Sequence, residues 1–337
     1  MKLTIATRAK QWLKDKLPNR AKAWLYFYRM YGRLPRRNFT LLNEFIALRK
    51  ANPTKGLGLL TDKLFVRQYI TERIGAQYLV PLLGVYQSPQ EVQFSELPEH
   101  FVLKLNYATK HNFFCRNNTP EAQHNFIQSS KEWLSDDHSA KWGENHYQEV
   151  QHRRIIAEQM LLDSNDKLPK DYKFHFFNDG RQLRFIIEVD SNRFEDYRKN
   201  FYDQEWRPLN IDWGLPSGEL EPKPPQLDKA VQLLKQLAHD FNYVRIDVYL
   251  LDNAIYFGEL TFTHGAGTCP LSPVTFDQQI AACIAPDEEF YPQGCIRDYA
   301  KWNADYLAFY RDPRAQKHLV NSPPQLKTTG LYQAINK

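Results

Sequence analysis

Cysteine is scarce and unpatterned: Cys115, Cys269, Cys283 and Cys295 form no CxxC pair and no zinc-ligand spacing. That excludes a zinc ribbon and gives no disulfide framework, so reduced thiols in a cytoplasmic protein are expected. No run of about 18 apolar residues exists to cross a bilayer. The first residues also lack the apolar stretch of a signal peptide. Glycine is short as well, 14 in 337 residues, and Gly56-Leu57-Gly58 is too brief for a dinucleotide fingerprint. Neither a Ser-His-Asp nor a Cys-His arrangement stands out among the 10 histidines. A net charge of +5 is too small to mark a polyanion binder by composition. No nucleic-acid motif is present, so nucleic acid is not an expected partner.

What is present is a folding composition: 42% hydrophobic and 14% aromatic residues, in a chain long enough for two packed units. Charge is uneven along it. Before Asn38 stand Lys2, Arg8, Lys10, Lys14, Lys16, Arg20, Lys22, Arg29, Arg33, Arg36 and Arg37 against the single acid Asp15. Ile5, Ala9, Trp12, Leu13 and Leu17 recur at helical spacing up to Pro18, and Trp24, Leu25, Tyr28 and Tyr31 predict a second short helix. Such a basic amphipathic segment packs its apolar stripe on its own domain or, as the second reading, lies on an anionic inner membrane surface.

Further on, residues 38–48 predict a helix, and residues from Thr61 a capped one. Residues 78–86, 100–106 and 112–115 read as strands, the last two flanking the short loop Tyr107-Ala-Thr-Lys-His111. A helix is expected over residues 120–134. Residues 171–177 and 184–190 read as a hairpin around Asn178-Asp-Gly180. A proline-rich connector over 208–225 leads to an amphipathic helix with Leu227, Ala230, Val231, Leu234, Leu237 and Ala238 on one face. Hairpins outnumber strand-helix-strand units, so the fold class is α+β.

The most informative stretch follows: Tyr243-Val-Arg-Ile-Asp-Val-Tyr249, then Ala254-Ile-Tyr-Phe-Gly-Glu-Leu-Thr-Phe-Thr263. Asp247 and Glu259 interrupt runs with strand composition, and acids are costly there unless a cation neutralises them. Mg²⁺ carrying nucleotide phosphates is one such cation; ordinary salt bridges on a solvated sheet face are the other reading. Parity separates them. A three-residue loop Asp252-Asn253-Ala254 sets Asp247 opposite Glu259, whereas a two-residue turn sends Glu259 to the other face. An odd loop is therefore predicted, with Arg245, Asp247, Glu259 and Thr261 on one polar face. Lys104, mid-strand before a loop, Glu158 and Lys173 complete a set suited to a polyphosphate and its metal.

In order and spacing the chain resembles the TupA-like branch of the ATP-grasp superfamily, named after a teichuronopeptide biosynthesis protein. The resemblance runs over roughly residues 61–270. It is carried by Asp62-Lys-Leu-Phe-Val-Arg67, Leu82-Leu-Gly-Val85, Phe101-Val-Leu-Lys-Leu-Asn106, Ile156-Ala-Glu158 and Asp171-Tyr-Lys-Phe174. Val189-Asp-Ser-Asn-Arg-Phe194, Asn200-Phe-Tyr-Asp203, Val244-Arg-Ile-Asp247 and Gly258-Glu-Leu-Thr-Phe-Thr263 complete it. The resemblance implies two α+β subdomains clamping a nucleotide, residues 61–157 with the phosphate loop and 158–285 with the metal site. A basic helical extension (1–60) precedes them and a helical tail (286–337) follows. It also implies ATP and Mg²⁺ as cofactors. The expected place, from the lack of a signal peptide and of a span, is the cytoplasm, with the basic N-terminal helices as the second reading's route to the inner face of the membrane.

Carried over by position, Lys104 resembles a lysine contacting nucleotide phosphates, Glu158 a hinge acid binding adenine or ribose, and Lys173 the second phosphate-binding base. Asp247 and Glu259 match the metal carboxylates, and Thr261 stands where a metal-binding Asn is usual. Arg245 resembles an arginine steadying a developing phosphate or oxyanion. One departure stands out. Relatives carry a glycine-rich Asn-His-Gly-Ser-Gly segment where this chain has Asn106-Tyr-Ala-Thr-Lys-His111, leaving Thr109 and Lys110 as partial replacements. The implied activity is amide formation through an acyl phosphate on a cell-surface polysaccharide or its precursor, joining an amine or amino acid to a uronic acid. The alternatives are a degenerate, non-catalytic nucleotide-binding protein and a polysaccharide glycosyltransferase, although the chain has no Asp-x-Asp. His264 is the histidine best placed to touch substrate, with a surface-loop histidine the plainer reading. Tyr202, Trp206 and Trp213 either stack on sugar rings or fill local core. Arg193 and Arg198 either bind a uronate or are solvated.

Overall fold

Alternating Val, Ile, Tyr and Phe produce antiparallel strands, and these close into two separate sheets. A computed structural model describes residues 17–107, 109, 111–192, 196–251 and 253–321. Helix α1 (Asn19–Tyr31) ends on Gly32 in the left-handed conformation, and α2 is Leu42–Ala51. Ala23 and Phe27 of α1 are buried, and the Lys22 ammonium donates to the Ala140 carbonyl at 2.7 Å. The helix thus packs on its own domain through one face. Helix α3 starts only at Val66 (Val66–Arg73), later than the capping pattern at Thr61 suggests. The reason is Asp62, whose carboxylate accepts from the Leu64 and Phe65 amides.

The smaller sheet has strands β1 (Leu82–Tyr86), β2 (Phe101–Leu105), β3 (Asn112–Cys115) and β4 (Ile155–Gln159) in the order β1-β4-β2-β3. Phe101, Leu103, Leu105, Ile155 and Ala157 form its inner face, packed on Phe126 of α4 (Pro120–Ser129) and on Trp133. The helix expected over 120–134 stops at Ser129, where Ser130 turns its hydroxyl back onto the Phe126 carbonyl. A short helix α5 (His138–Trp142) follows. The opposite face of this sheet carries Val102, Lys104, Ile156 and Glu158, and Ile156 is wholly buried in the core of the larger sheet. That face therefore turns toward the second sheet.

The larger sheet runs β7-β6-β5-β8-β9, with β5 (Asp171–Asn178), β6 (Leu183–Ser191), β7 (Arg198–Tyr202), β8 (Tyr243–Leu251) and β9 (Ala254–Thr261). Phe174, Phe176, Ile187, Val189, Val244, Ile246 and Val248 cover one face, where Leu227, Ala230, Leu234 and Leu237 of α6 (Leu227–Ala238) pack. Helices α7 (Val274–Ala281), α8 (Asp287–Phe290), α9 (Tyr299–Arg311) and α10 (Pro313–Asn321) complete the described chain.

The turn between β8 and β9 corrects the odd-loop expectation. Leu251 pairs with Ala254, leaving two residues between the strands; Asp252 itself lies outside the described residues. Parity alone would then separate the acids. A bulge restores them: Val248 pairs with Phe257 but Asp247 with Glu259, so Gly258 is the extra residue. A Cβ at Gly258 would stand 3.0 Å from the Asp247 carbonyl oxygen, which is why a residue without one sits there.

Candidate functional site

Everything the apolar face of the larger sheet excludes is gathered on its other face. Lys173 lies opposite both Glu188 and Asp247 in the strand register, and Asp171 lies opposite Asp190. The Lys173 ammonium contacts Asp190 at 3.1 Å, Asp171 at 3.4 Å and Asp247 at 3.6 Å. Burial pulls its pKa down, but these acids, Asp247 foremost, raise it far above the usual lysine value. Arg245 grips Asp247 in a two-point contact, Nε to Oδ1 at 2.6 Å and Nη2 to Oδ2 at 2.8 Å, and Nη2 also reaches Glu259 at 2.9 Å. Thr261 donates to the same Glu259 oxygen at 3.0 Å, and the Lys63 ammonium lies 3.3 Å from the other. Burial pushes Glu259 up, yet Lys63, Arg245 and Lys173 bring it down to about 2.

The face of the smaller sheet adds a second group. Lys104 contacts Glu158 at 2.6 Å, and Arg67 approaches the other Glu158 oxygen at 3.5 Å while donating to the Val80 carbonyl. Residue Leu79, leading into β1, bridges to Phe257 of β9, so the two sheets are tied beside this pair. Tyr249 of β8, its phenol pushed far up by burial, then by Asp171 and, more weakly, Glu158, stands in the field of both groups. Thr109 is exposed, its carbonyl 3.1 Å from His111 Nδ1. Lys110 lies outside the described residues, as does Arg193.

Sequence reading missed a third group, of which it had named only His264. His175, opposite Arg245 across β5 and β8, places Nε2 3.0 Å from Glu188, whose other oxygen accepts from Lys199 at 2.6 Å. His264 is buried rather than a surface-loop residue, with Nδ1 2.9 Å from Arg245 Nη1. His175, Glu188 and His264 offer ligand atoms within 4.8 Å of one another. The hydrogen bonding argues against a cation there. A guanidinium only donates, so His264 Nδ1 is the acceptor nitrogen and Nε2 carries the proton, facing Glu188 at 3.9 Å. Burial lowers both imidazoles and leaves them neutral, while Glu188, raised by burial, is held well below the usual carboxylate range by its hydrogen bond with His175 and by the charge of Lys199. The group is a hydrogen-bonded chain behind Arg245. Period-two alternation from Lys173 to His175, and from Asp190 to Glu188, was the signal available for two of its members.

The aromatic candidates fill core. Tyr202 stacks on Trp206 at 4.1 Å, and Trp213 lies 4.2 Å from the His264 ring, 2% exposed. Arg198 pairs with Asp196 at 2.8 Å. Lys63 and Arg67, within a segment already singled out, are additional cations at the two acids Glu259 and Glu158.

Two antiparallel sheets facing each other across lysines, a paired strand aspartate and glutamate, and an arginine two residues before the aspartate define an ATP-grasp protein. A model of the TupA-like ATP-grasp family matches residues 44–285, and the chain belongs to that family. Among solved structures it is similar to the D-alanine–D-alanine ligase of Helicobacter pylori, with 10% identity and a TM-score of 0.40 over 67% of this chain and 61% of that one. It is also similar to the D-alanine–D-alanine ligase of Bacillus anthracis, with 14% identity and a TM-score of 0.37 over 77% and 70%. N5-carboxyaminoimidazole ribonucleotide synthetase of Thermus thermophilus matches with 11% identity and a TM-score of 0.37 over 62% and 47%. The chain thus spans less than two thirds of the Helicobacter and Thermus proteins. No curated protein matches the sequence.

Proposed function

We propose that the chain is an ATP-dependent carboxylate–amine ligase acting on a cell-surface polysaccharide or its precursor, joining an amine or amino acid to a uronic acid. The observation that carries the reading is the opposed pair Asp247 and Glu259, bridged by Arg245 and flanked by Lys173 and Lys63, with Lys104 paired to Glu158 on the other sheet. The donor set fits Mg²⁺. It offers carboxylate and hydroxyl oxygens from Asp247, Glu259 and Thr261, in a gap that one cationic side chain already spans. When bound, Mg²⁺ supplies charge to the transferring phosphoryl group.

In this reading residues 61–157 and 158–285 close on ATP, with Lys104, Lys173, Thr109 and Lys110 toward phosphates and Glu158 toward adenine or ribose. Arg245 leaves one of its acids to meet the acceptor carboxylate. A carboxylate oxygen bonds to the γ-phosphorus as the bond to the bridging oxygen breaks and ADP departs. The amine nitrogen then bonds to the acyl carbon, phosphate leaves with the C–O electron pair, and the nitrogen gives up its proton to phosphate or solvent. Positioning and charge neutralisation dominate such steps, so the lack of a nucleophilic triad is no obstacle. The exposed Arg20, Arg29, Arg36 and Arg37, with no acid between residues 17 and 43, support docking on an anionic membrane surface where a glycan precursor is held.

The test is calorimetric MgATP binding followed by ADP release with candidate uronate and amine pairs. Asp247→Asn with Glu259→Gln should abolish Mg²⁺-dependent binding while the protein stays folded. MgATP binding without turnover of any pair would favour the non-catalytic reading, for which the glycine-poor loop speaks. Turnover of a nucleotide sugar with no use of ATP would overturn the ligase.

A further inference from the structure

The family match ends at residue 285, yet helix α9 beyond it reaches the root of the loop at 107–111. The Tyr310 hydroxyl donates to Asp62 Oδ2 at 2.6 Å and accepts from Asn106 Nδ2 at 3.1 Å, with all three side chains buried. Asn106 is the residue from which the loop departs. It is fixed on every polar atom: Oδ1 accepts from the Arg154 amide at 2.7 Å, Nδ2 also donates to the His152 carbonyl at 2.9 Å, the backbone amide donates to the Arg154 carbonyl, and the backbone carbonyl accepts from the Lys63 amide at 2.6 Å. Asp62 in turn holds the Leu64 and Phe65 amides, so Lys63 is pinned on both sides and its ammonium is delivered to Glu259. The phenol ring is itself clamped, stacked on His152 at 4.6 Å. One turn earlier, Tyr306 accepts from the Gln151 and His152 amides at 3.1 and 3.4 Å.

We propose that α9 is a working part of the nucleotide site, with Tyr310 as a positioning residue that sets both the root of the phosphate loop and the reach of Lys63 toward the metal pair. The proposal rests on residues 107–111 being the phosphate loop. One hydroxyl ties together two segments 44 positions apart, Asp62, which leads to Lys63 beside Glu259, and Asn106, which leads into the loop. The loop lacks the glycines that would let its own amides wrap a phosphate, so its placement depends on the anchor more than in a glycine-rich relative.

The test compares Tyr310→Phe with Leu307→Ala in the full chain. Leu307 packs against the core from the same helix and has no polar group to offer Asp62 or Asn106, so its variant controls for lost helix packing. Tyr310→Phe should weaken MgATP binding and raise KM for ATP about tenfold, the scale of one charge-assisted hydrogen bond lost. It should change kcat by less than about twofold at saturating ATP. Leu307→Ala, with its melting temperature lowered at least as much, should bind MgATP as wild type does. Wild-type affinity in Tyr310→Phe, or equal weakening in Leu307→Ala, overturns the role of α9 alone. Failure of the wild-type chain to bind MgATP overturns the phosphate-loop reading and this proposal with it.

Discussion

Replacing Lys173 by Met tests the charge balance of the polar face most directly, because Met keeps the volume of the stem and deletes only the ammonium. Lys173 is 5% exposed and lies 3.1 to 3.6 Å from three carboxylates. At an effective dielectric of about 20, each contact is a gross attraction of about 5 kcal/mol, and burying the ammonium cancels much of that sum. Experience with broken buried pairs sets the net loss at about 3–5 kcal/mol. The strain falls on Asp190. Its side chain is inaccessible, its Oδ1 has no hydrogen-bond partner, and burial already raises its pKa, with Lys173 the largest influence opposing that rise. Without Lys173 the carboxyl pKa climbs further. An acid whose folded pKa exceeds its unfolded one destabilises the fold fully above the folded pKa, and the deficit is relieved as pH falls through that value toward the unfolded one. Urea unfolding of Lys173→Met and wild type at about pH 8, 6.5 and 5 should therefore show a deficit that shrinks on acidification. A loss under about 1 kcal/mol, or one that is constant with pH, would refute the claim that Lys173 neutralises these acids.

Burial lifts Asp62 from 3.8 to about 6, so its ionisation costs about 3 kcal/mol, felt progressively as pH rises from about 4 to 6. Asp62→Asn should flatten that part of the stability profile, measured by thermal unfolding across pH. Gly258→Val adds a branched side chain where even a Cβ meets the Asp247 carbonyl at 3.0 Å. It should destabilise by about 1–3 kcal/mol. It should also lower Mg²⁺-dependent ATP affinity, which Gly180→Val in the β5–β6 turn, strained by its φ of 84° rather than by a neighbour, should leave unchanged. Arg29→Glu, Arg36→Glu and Arg37→Glu together should abolish co-sedimentation with phosphatidylserine-containing vesicles, at about 1 kcal/mol per arginine, without altering MgATP binding.

The alternation of the strands was legible because one face of each sheet is buried, and burial imprints period two on the residues. That is why Arg245, Asp247, Glu259 and Thr261 were assigned to a common face and are found there. The route to that face was not legible from the turn. Leu251 pairs with Ala254, and the compensating irregularity sits inside the strand at Gly258. A glycine within an apolar strand is itself a bulge signal, and weighing it against the turn would have given the right register for the right reason. Glu188, His175 and Lys199 escaped for a different cause, and His264 was singled out as a substrate contact or a surface-loop residue, not as the buried partner of Arg245. Their meeting depends on the register of β5 with β6 and β7 and on a loop returning from β9, contacts no local pattern encodes. Lys63 escaped because a loop lysine carries no periodicity at all.

The charges on this face are already matched before any ligand arrives. Asp171, Asp190, Asp247, Glu188 and Glu259 are set against Lys173, Arg245, Lys199 and Lys63, with both imidazoles neutral, so a single negative charge is left over. A site of this kind does not wait with bare acids for a metal, since bare buried acids would protonate or unfold the sheet. In the proposed reading it would exchange partners instead. Arg245, which spans Asp247 and Glu259, is the internal cation that Mg²⁺ would displace, and the displaced guanidinium is then free to meet a phosphoryl oxygen or an acceptor carboxylate. His264 is hydrogen-bonded to Nη1 with Glu188 behind it, so the displaced guanidinium would pivot about a fixed point. The coupling follows from the same geometry. Arg245 should turn toward substrate only when a metal replaces it between the acids, so His264→Ala should loosen that pivot and lower turnover more than MgATP affinity.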